Sequence, residues 1–287
     1  MAGEAGPDGL IPTTDRYGTA LGDIVRCGYC GHGQLEPMPA TAVLESAYAE
    51  AASDDYLREE AGQRATARTM LARIERKLAQ ERGQAPFLQK LALLDLGCWV
   101  GFLLAEARQR GWTGVGVEPS AWASALARER FGLDVRTSGL FEADLDPGGF
   151  DAVVMADVIE HLPDPGAALD RVASWLVPGG VLALALPDAG SPIARALGER
   201  WWSILPTHVQ YFTRGSLEIL LSRHAFRVLE ARTAPKAFTV RYYLERLRGY
   251  SPPAAERLVE TAERAGIADR LVTPDFGDRM WMLARAR

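Results

Sequence analysis

Between Leu91 and Leu186, short unbroken apolar runs alternate with stretches whose apolar residues recur every three or four positions. That alternation predicts a parallel sheet joined by helical crossovers. The strand candidates are Leu91–Leu96 (LALLDL), Gly114–Val117 (GVGV), a weaker run at Leu133–Arg136, Phe150–Ala156 (FDAVVMA) and Val181–Leu186 (VLALAL), the last following a Pro178-Gly179-Gly180 turn. Helices are predicted over Phe102–Arg110, closed by Gly111, over Ser120–Arg130, and from Pro165 onward, where Leu169, Val172 and Leu176 form the buried stripe. Proline suits that first turn because its missing N–H would have no intrahelical partner there. Ser216–Arg223 reads as a helix capped by Thr213, and Phe226–Ala231 and Met280–Ala284 as the last two strands. The segment from Arg232 to Arg279 is too long for a hairpin loop and should carry helices of its own, one marked by Tyr242, Leu244 and Leu247.

Upstream, Met70, Leu71, Ile74 and Leu78 give helical spacing within Leu44–Gly83 and predict an amphipathic helix. Its arginines, Arg64, Arg68, Arg73 and Arg76, read as a solvated face. Residues 1 to about 20, rich in Gly, Pro, Asp and Thr, read as a loose tail. The 287-residue chain holds 32 basic and 37 acidic side chains, a net charge of −5, which argues against nucleic acid as a partner. No apolar run is long enough to span a bilayer, and the acidic, Gly/Pro-rich opening is no secretory signal, so no membrane partner and a cytoplasmic location are expected. Three cysteines, Cys27, Cys30 and Cys98, are too few and too odd for a disulfide framework.

The chemistry concentrates after the first strand of the sheet. Leu93-Leu94-Asp95-Leu96-Gly97-Cys98-Trp99-Val100-Gly101 puts a glycine pair at a strand's carboxyl end, where open α/β sheets bind ligands. Glu118 ends the next strand, and a carboxylate there can accept both hydroxyl protons of a ribose, so a nucleoside-containing ligand is expected. Dinucleotide folds also pair glycines with a distal acid, but they need a glycine where the pyrophosphate approaches. Here that place holds Trp99.

LLDLGCWVG, VGVEPS, FDAVVMADVIEHL and LVPGGVLALALPD, in that order, resemble the class I S-adenosylmethionine-dependent methyltransferases, and WWSILPTHVQYFTRGSLEILLSRHAFRVLE resembles their type 23 subgroup. The resemblance covers Leu91 to Glu230. It implies a Rossmann-like α/β fold with a seven-stranded, mostly parallel sheet and an antiparallel last strand, and S-adenosylmethionine as cofactor. Carried over by position, it implies that Gly97 and Gly101 line the methionine portion with Cys98 beside them, and that Asp95 braces the turn. Glu118 would hold the ribose, Pro119 and Leu140 would flank the adenine, and Asp157 would lie near the sulfonium. Tyr48 and Tyr56 would form a lid. Trp99 departs from the pattern, standing where many relatives have glycine. Asp95 could equally be a turn-capping carboxylate.

Methyl transfer from a sulfonium needs alignment and exclusion of water more than acid–base chemistry, but a hydroxyl acceptor must lose its proton. Histidine suits that task because it titrates near neutrality. His208, beside Trp201, Trp202, Tyr211 and Phe212 where relatives place their acceptor pocket, is the expected base, with a loop-locking role as the other reading. His161, after Glu160, either contacts the acceptor or orders its loop, and His224 reads as structural. Cys27-Gly-Tyr-Cys30-Gly-His32 resembles half of an amino-terminal zinc knuckle whose first cysteine pair is missing, so no bound metal is expected. The basic excess of Arg227, Arg232, Lys236, Arg241, Arg246 and Arg248 could draw an anionic acceptor or be surface decoration.

The expected organisation is a tail and knuckle remnant over 1–40, a helical lid or extension over 41–88, and a methyltransferase domain over 89–287 with a helical insertion at 232–278. The expected activity is methyl transfer to a small-molecule acceptor, a hydroxyl of a sugar or secondary metabolite, in a chain that could be a homodimer. An NAD(P)-dependent oxidoreductase and a non-catalytic cofactor-binding module are the alternatives.

Overall fold

The structure, a computed structural model, describes residues 20–40, 44, 55–82 and 90–287. A hairpin of β1 (Asp23–Arg26) and β2 (Gly33–Glu36) precedes a short helix α1 (Asp55–Arg58) and the long helix α2 (Glu60–Arg82). The alternating series follows: β3 (Ala92–Leu96), α3 (Phe102–Gln109), β4 (Thr113–Glu118), α4 (Ala121–Phe131), β5 (Asp134–Thr137), β6 (Phe150–Ala156), α5 (Pro165–Trp175) and β7 (Leu176–Pro187). Beyond it lie α6 (Pro192–Leu197), β8 (Gln210–Tyr211), α7 (Arg214–Arg223) and β9 (Phe226–Thr233). The segment before the last strand carries β10 (Phe238–Thr239), α8 (Val240–Glu245), α9 (Pro252–Arg264) and β11 (Leu271–Val272), and β12 (Arg279–Ala286) closes the chain.

The main sheet has seven strands in the order β5-β4-β3-β6-β7-β12-β9. Strands β5 to β7 pair in parallel, and β12 runs antiparallel to both neighbours. Buried on both faces, these strands need apolar side chains at successive positions, which is why they read as continuous runs. Alternate residues divide between the faces. Leu93, Val154 and Ala183 pack with Leu71, Ile74 and Leu78 of α2, whereas Leu94, Val153 and Leu182 pack with Leu169 and Val172 of α5 and Leu217 of α7. Strand β7 begins earlier than the Pro178-Gly179-Gly180 turn suggests: its register against β6 jumps between Phe150 and Ala152, so the turn is absorbed as a bulge at Gly179, φ 77°.

Capping matches the local sequence. Ser120 accepts from Ala123 N at 3.1 Å to start α4, Asp164 accepts from Ala167 N at 2.9 Å to start α5, and Thr213 with Ser216 forms a reciprocal box on α7. The α2 arginines are a solvated face only in part: Arg68 and Arg76 stay exposed, whereas Arg64 and Arg73 are half-buried. Arg64 and Arg68 pair with the buried Glu106 of α3 at 2.9 and 3.3 Å, Arg73 lies over the Trp281 ring, and Arg76 faces Glu230. They tie α2 to the sheet's edge and its neighbouring helix.

At its start α2 meets the chain leading into β10. Glu59 accepts from Thr239 N and Thr239 Oγ1, at 2.8 and 2.6 Å, and Ala237 N donates to Thr66 Oγ1 at 2.9 Å. Gly62 sits at this crossing, and a Cβ there would overlap the Ala237 carbonyl oxygen, a backbone atom that cannot swing aside. Gly62→Ala should therefore destabilise the chain by about 1–3 kcal/mol despite alanine's better helix propensity. Thermal unfolding checks this, and an unchanged or raised midpoint would show that the crossing has slack.

The amino-terminal hairpin docks on β8, pairing Gly33 with Tyr211 and Gln34 with Gln210, and Leu35 N donates to Val209 O at 3.0 Å. Leu35, Leu44, Trp201, Ile204, Val209 and Tyr211 close a small core beneath it. The hairpin thereby braces the loop that carries His208. No described helix is long and apolar enough to cross a membrane.

Candidate functional site

The strand order reverses between β3 and β6, so the loops leaving their carboxyl ends diverge and open a crevice. The turn after β3 lies in the left-handed region at Gly97, Trp99 and Gly101, with φ of 66°, 50° and 82°. A Cβ on Gly97 would stand 2.6 Å from Val158 Cγ2, and one on Gly101 would overlap the Leu133 side chain, so both positions need glycine for space as well as conformation. Trp99 adopts the same backbone region with a bulky side chain, an arrangement that costs free energy and persists only where surroundings enforce it. Here its N–H donates to Glu118 Oε2 at 2.8 Å and its ring packs against Trp122 at 5.6 Å.

Glu118, 5% exposed, accepts from Trp99 N on one oxygen and Ser120 N on the other, each at 2.8 Å. Burial raises its carboxyl above the usual range despite both bonds. Each carboxylate oxygen has a second lone pair, so two ribose hydroxyls could be received without breaking these contacts. Asp95 lies within β3, buried, and burial followed by the Glu118 charge pushes its carboxyl well up. Burial likewise raises the Cys98 thiol, which makes it a packing group and not a nucleophile. Pro119 sits half-buried between Glu118 and Ser120, and Leu140 packs below the sheet with Leu94 and Val117. Tyr48 and the Tyr56 side chain lie outside the described residues.

Asp157, just past β6, is also left-handed at φ 57°. Its carboxylate pairs with Lys236 and, at 2.5 Å, with Arg279. Burial alone would raise it, but Arg279 and Lys236 reverse that and hold it well below the carboxylate range. In the sequence Arg279 carried no site reading, and Lys236 counted only as one member of the basic excess near the carboxyl end. Both come from the far end of the chain, and only the placement of β12 beside β7 brings them here.

Next to this ion cluster, the 3-10 turn Ile159–His161 and the loop before β8 meet. Val209 N donates to Glu160 O at 3.0 Å, and Gln210 Nε2 lies 3.2 Å from the carbonyls of Leu162 and Pro163. The His161 and His208 rings stand edge to face, 4.7 Å between centroids. His161 Nδ1 is 2.8 Å from Thr207 O and His208 Nδ1 is 2.8 Å from Ser203 O. A carbonyl only accepts, so both rings donate from Nδ1, and burial, which disfavours the imidazolium, leaves Nε2 unprotonated. Glu160 is 2% exposed and neither carboxylate oxygen has a hydrogen-bond partner. Burial, then the charge of Asp157, pushes its carboxyl up to about 8. Burial lowers His161, and burial followed by the neighbouring His161 lowers His208 well below its ordinary value.

Three of the four aromatics expected to line an acceptor pocket are packing residues. Trp201 and Tyr211 belong to the core under the hairpin, and Phe212 to the main core. Trp202 alone stays half-exposed, its Nε1 donating to Asp278 Oδ2 at 2.7 Å. It continues into an aromatic row through Phe276, at 6.1 Å, and Tyr243, 6.2 Å further on. The basic excess near the carboxyl end is dispersed onto distant acids: Arg227 pairs with Glu81, Arg241 with Glu263, and Lys236 with Asp157. Cys27 is exposed, and His32 turns away from the cysteines to bond Gln210 at 2.9 Å and pack on Phe212. His224 pairs with Asp170 at 2.7 Å.

A family model described as a methyltransferase domain matches residues 63–231. The ubiquinone biosynthesis O-methyltransferase of Nitrobacter winogradskyi is 36% identical over 101 residues, 33% of this chain and 38% of that protein. Its counterpart in Rhodopseudomonas palustris strain TIE-1 is 32% identical over 114 residues, 38% of this chain and 45% of that protein. The matched segment thus spans less than half the length of these curated relatives. Among solved structures, a 1,6-didemethyltoxoflavin-N1-methyltransferase from Burkholderia thailandensis, with bound 1,6-didemethyltoxoflavin and S-adenosylhomocysteine, superposes with a TM-score of 0.53 at 17% identity, covering 92% of this chain and 99% of that one. That similarity is one of fold.

Proposed function

The chain belongs to the methyltransferase domain family, of the class I S-adenosylmethionine-dependent kind, and from that premise we propose that it moves the methyl group of S-adenosylmethionine onto a hydroxyl of a small molecule, a sugar or another metabolite. The observation that carries this reading is the shared wall of two features: Gly97 of the glycine turn abuts Val158, and two residues further on begins the cluster of Glu160, His161 and His208. The crevice beside Gly97, Gly101 and Glu118 suits the cofactor, with Pro119 and Leu140 toward the adenine and Asp157 toward the sulfonium end. The nearby cluster suits removal of an acceptor proton.

In the transfer, the acceptor oxygen's lone pair forms the new O–C bond as the C–S bond breaks, and S-adenosylhomocysteine leaves. The hydroxyl proton goes toward the cluster, where His208 Nε2 is the basic atom; burial keeps that ring neutral, so the nitrogen's lone pair is available. The half-exposed Trp202 with Phe276 and Tyr243 forms an aromatic wall for the acceptor. The O-methyl transfer named for the curated relatives supports oxygen as the receiving atom. Incubation with methyl-labelled S-adenosylmethionine and a panel of phenols, catechols, sugars and amines tests the reading. Label on a hydroxyl acceptor is expected, and label on amines alone would remove the oxygen assignment.

A further inference from the structure

We infer that Glu160, His161 and His208 form a site for a divalent transition-metal ion, Zn²⁺ being the best match. One ligand atom from each residue lies within 4.8 Å of the others. Bonds of about 2.0–2.1 Å to a tetrahedral ion would set ligand atoms roughly 3.3 Å apart, so closure needs side-chain movements of about 1 Å.

Three independent features support the site. First, each imidazole has its Nδ1 proton engaged by a backbone carbonyl, Thr207 O or Ser203 O, which fixes Nε2 as the ligating nitrogen. A metal-bound histidine typically has its other nitrogen anchored this way. Second, Glu160 is buried with both oxygens unsatisfied, an arrangement that is costly unless something fills it. Third, the surrounding charges leave room for a cation. Lys236 and Arg279 are both paired with Asp157, so neither holds the Glu160 carboxyl, whose proton a bound cation would displace.

Two histidines and one carboxylate leave coordination positions open for an acceptor oxygen. An ion there would polarise the acceptor hydroxyl, and with it bound His208 would serve as a ligand in place of the base role proposed for the metal-free cluster. That use rests on the methyl-transfer reading; the binding of the ion does not.

The test uses the full chain freed of metal by chelator dialysis and titrated with Zn²⁺ against a chromophoric chelator, and with Co²⁺ monitored by its visible absorption. One equivalent should bind with micromolar or tighter affinity. Glu160→Gln and His208→Ala should each weaken binding at least a hundredfold, and the Cys27→Ser/Cys30→Ser double variant should leave it unchanged. A wild-type chain that takes up no ion, or an ion lost in the cysteine variant and retained in Glu160→Gln, overturns the site. S-adenosylhomocysteine titrated into the same metal-free samples reads the methyltransferase assignment separately: retained cofactor binding without metal uptake rejects the metal site alone.

Discussion

His208→Ala is expected to lower turnover by about 10²–10⁴-fold, the range that a positioned proton-transfer group contributes, while leaving S-adenosylhomocysteine affinity within about twofold. The split follows from where the residue sits. His208 lies in the loop before β8, against His161 and near Glu160, whereas the glycine turn and Glu118 assigned to the cofactor lie after β3 and at the end of β4, and Asp157, the assigned group closest to the histidines in sequence, is held by Lys236 and Arg279 and not by His208. On the proposed reading, truncation removes the Nε2 that serves the acceptor hydroxyl, whether that atom takes the proton or holds an ion that acidifies it. Single-turnover rates and calorimetric titration on the same preparation measure the two quantities. Full activity in this variant would return His208 to a loop-locking role. A joint loss of rate and cofactor affinity would mean that the loop shapes the cofactor crevice as well.

Glu118→Ala should weaken S-adenosylhomocysteine binding by more than tenfold. Hydrogen bonds to a charged group contribute about 1.5–3 kcal/mol each, so two ribose hydroxyls at the low end come to about 3 kcal/mol, roughly a hundredfold. The variant also strips Trp99 N and Ser120 N of their acceptor, and Trp99 loses the bond that helps hold its left-handed backbone. Glu118→Gln separates the two effects, since it keeps one oxygen to accept and should give an intermediate loss. Unchanged affinity in the alanine variant would take Glu118 out of the site.

Much of this was legible because both-face burial writes itself as unbroken apolar runs. Leu93 to Leu96 and Val153 to Met155 are nearly sealed from solvent, and their order along the chain, with helices between, already carried the parallel sheet. The glycine turn and Glu118 were legible for the same local reason, since backbone conformation and a carboxylate at a strand's end are set by neighbouring residues.

What sequence could not carry were encounters between distant segments. Nothing in the string places Lys236 and Arg279 on Asp157, because that requires β12 to insert between β7 and β9. The same holds for Arg64 and Arg73 of α2, which look solvated until Glu106 and Trp281 are brought beneath them. Trp201, Tyr211 and Phe212 resemble a pocket lining in one dimension, and only the docked hairpin and the sheet packed against them make them core. Glu160 was visible as a neighbour of His161, but a carboxylate's burial and lack of partners are properties of the folded state alone.

The central claim is that the crevice between β3 and β6 receives an adenosyl sulfonium compound. Calorimetric titration of the unaltered chain with S-adenosylhomocysteine, and in parallel with NAD, tests it most directly. Saturable binding of one S-adenosylhomocysteine per chain, with no heat from NAD, is the predicted result; binding of NAD in its place, or of neither, would contradict the account.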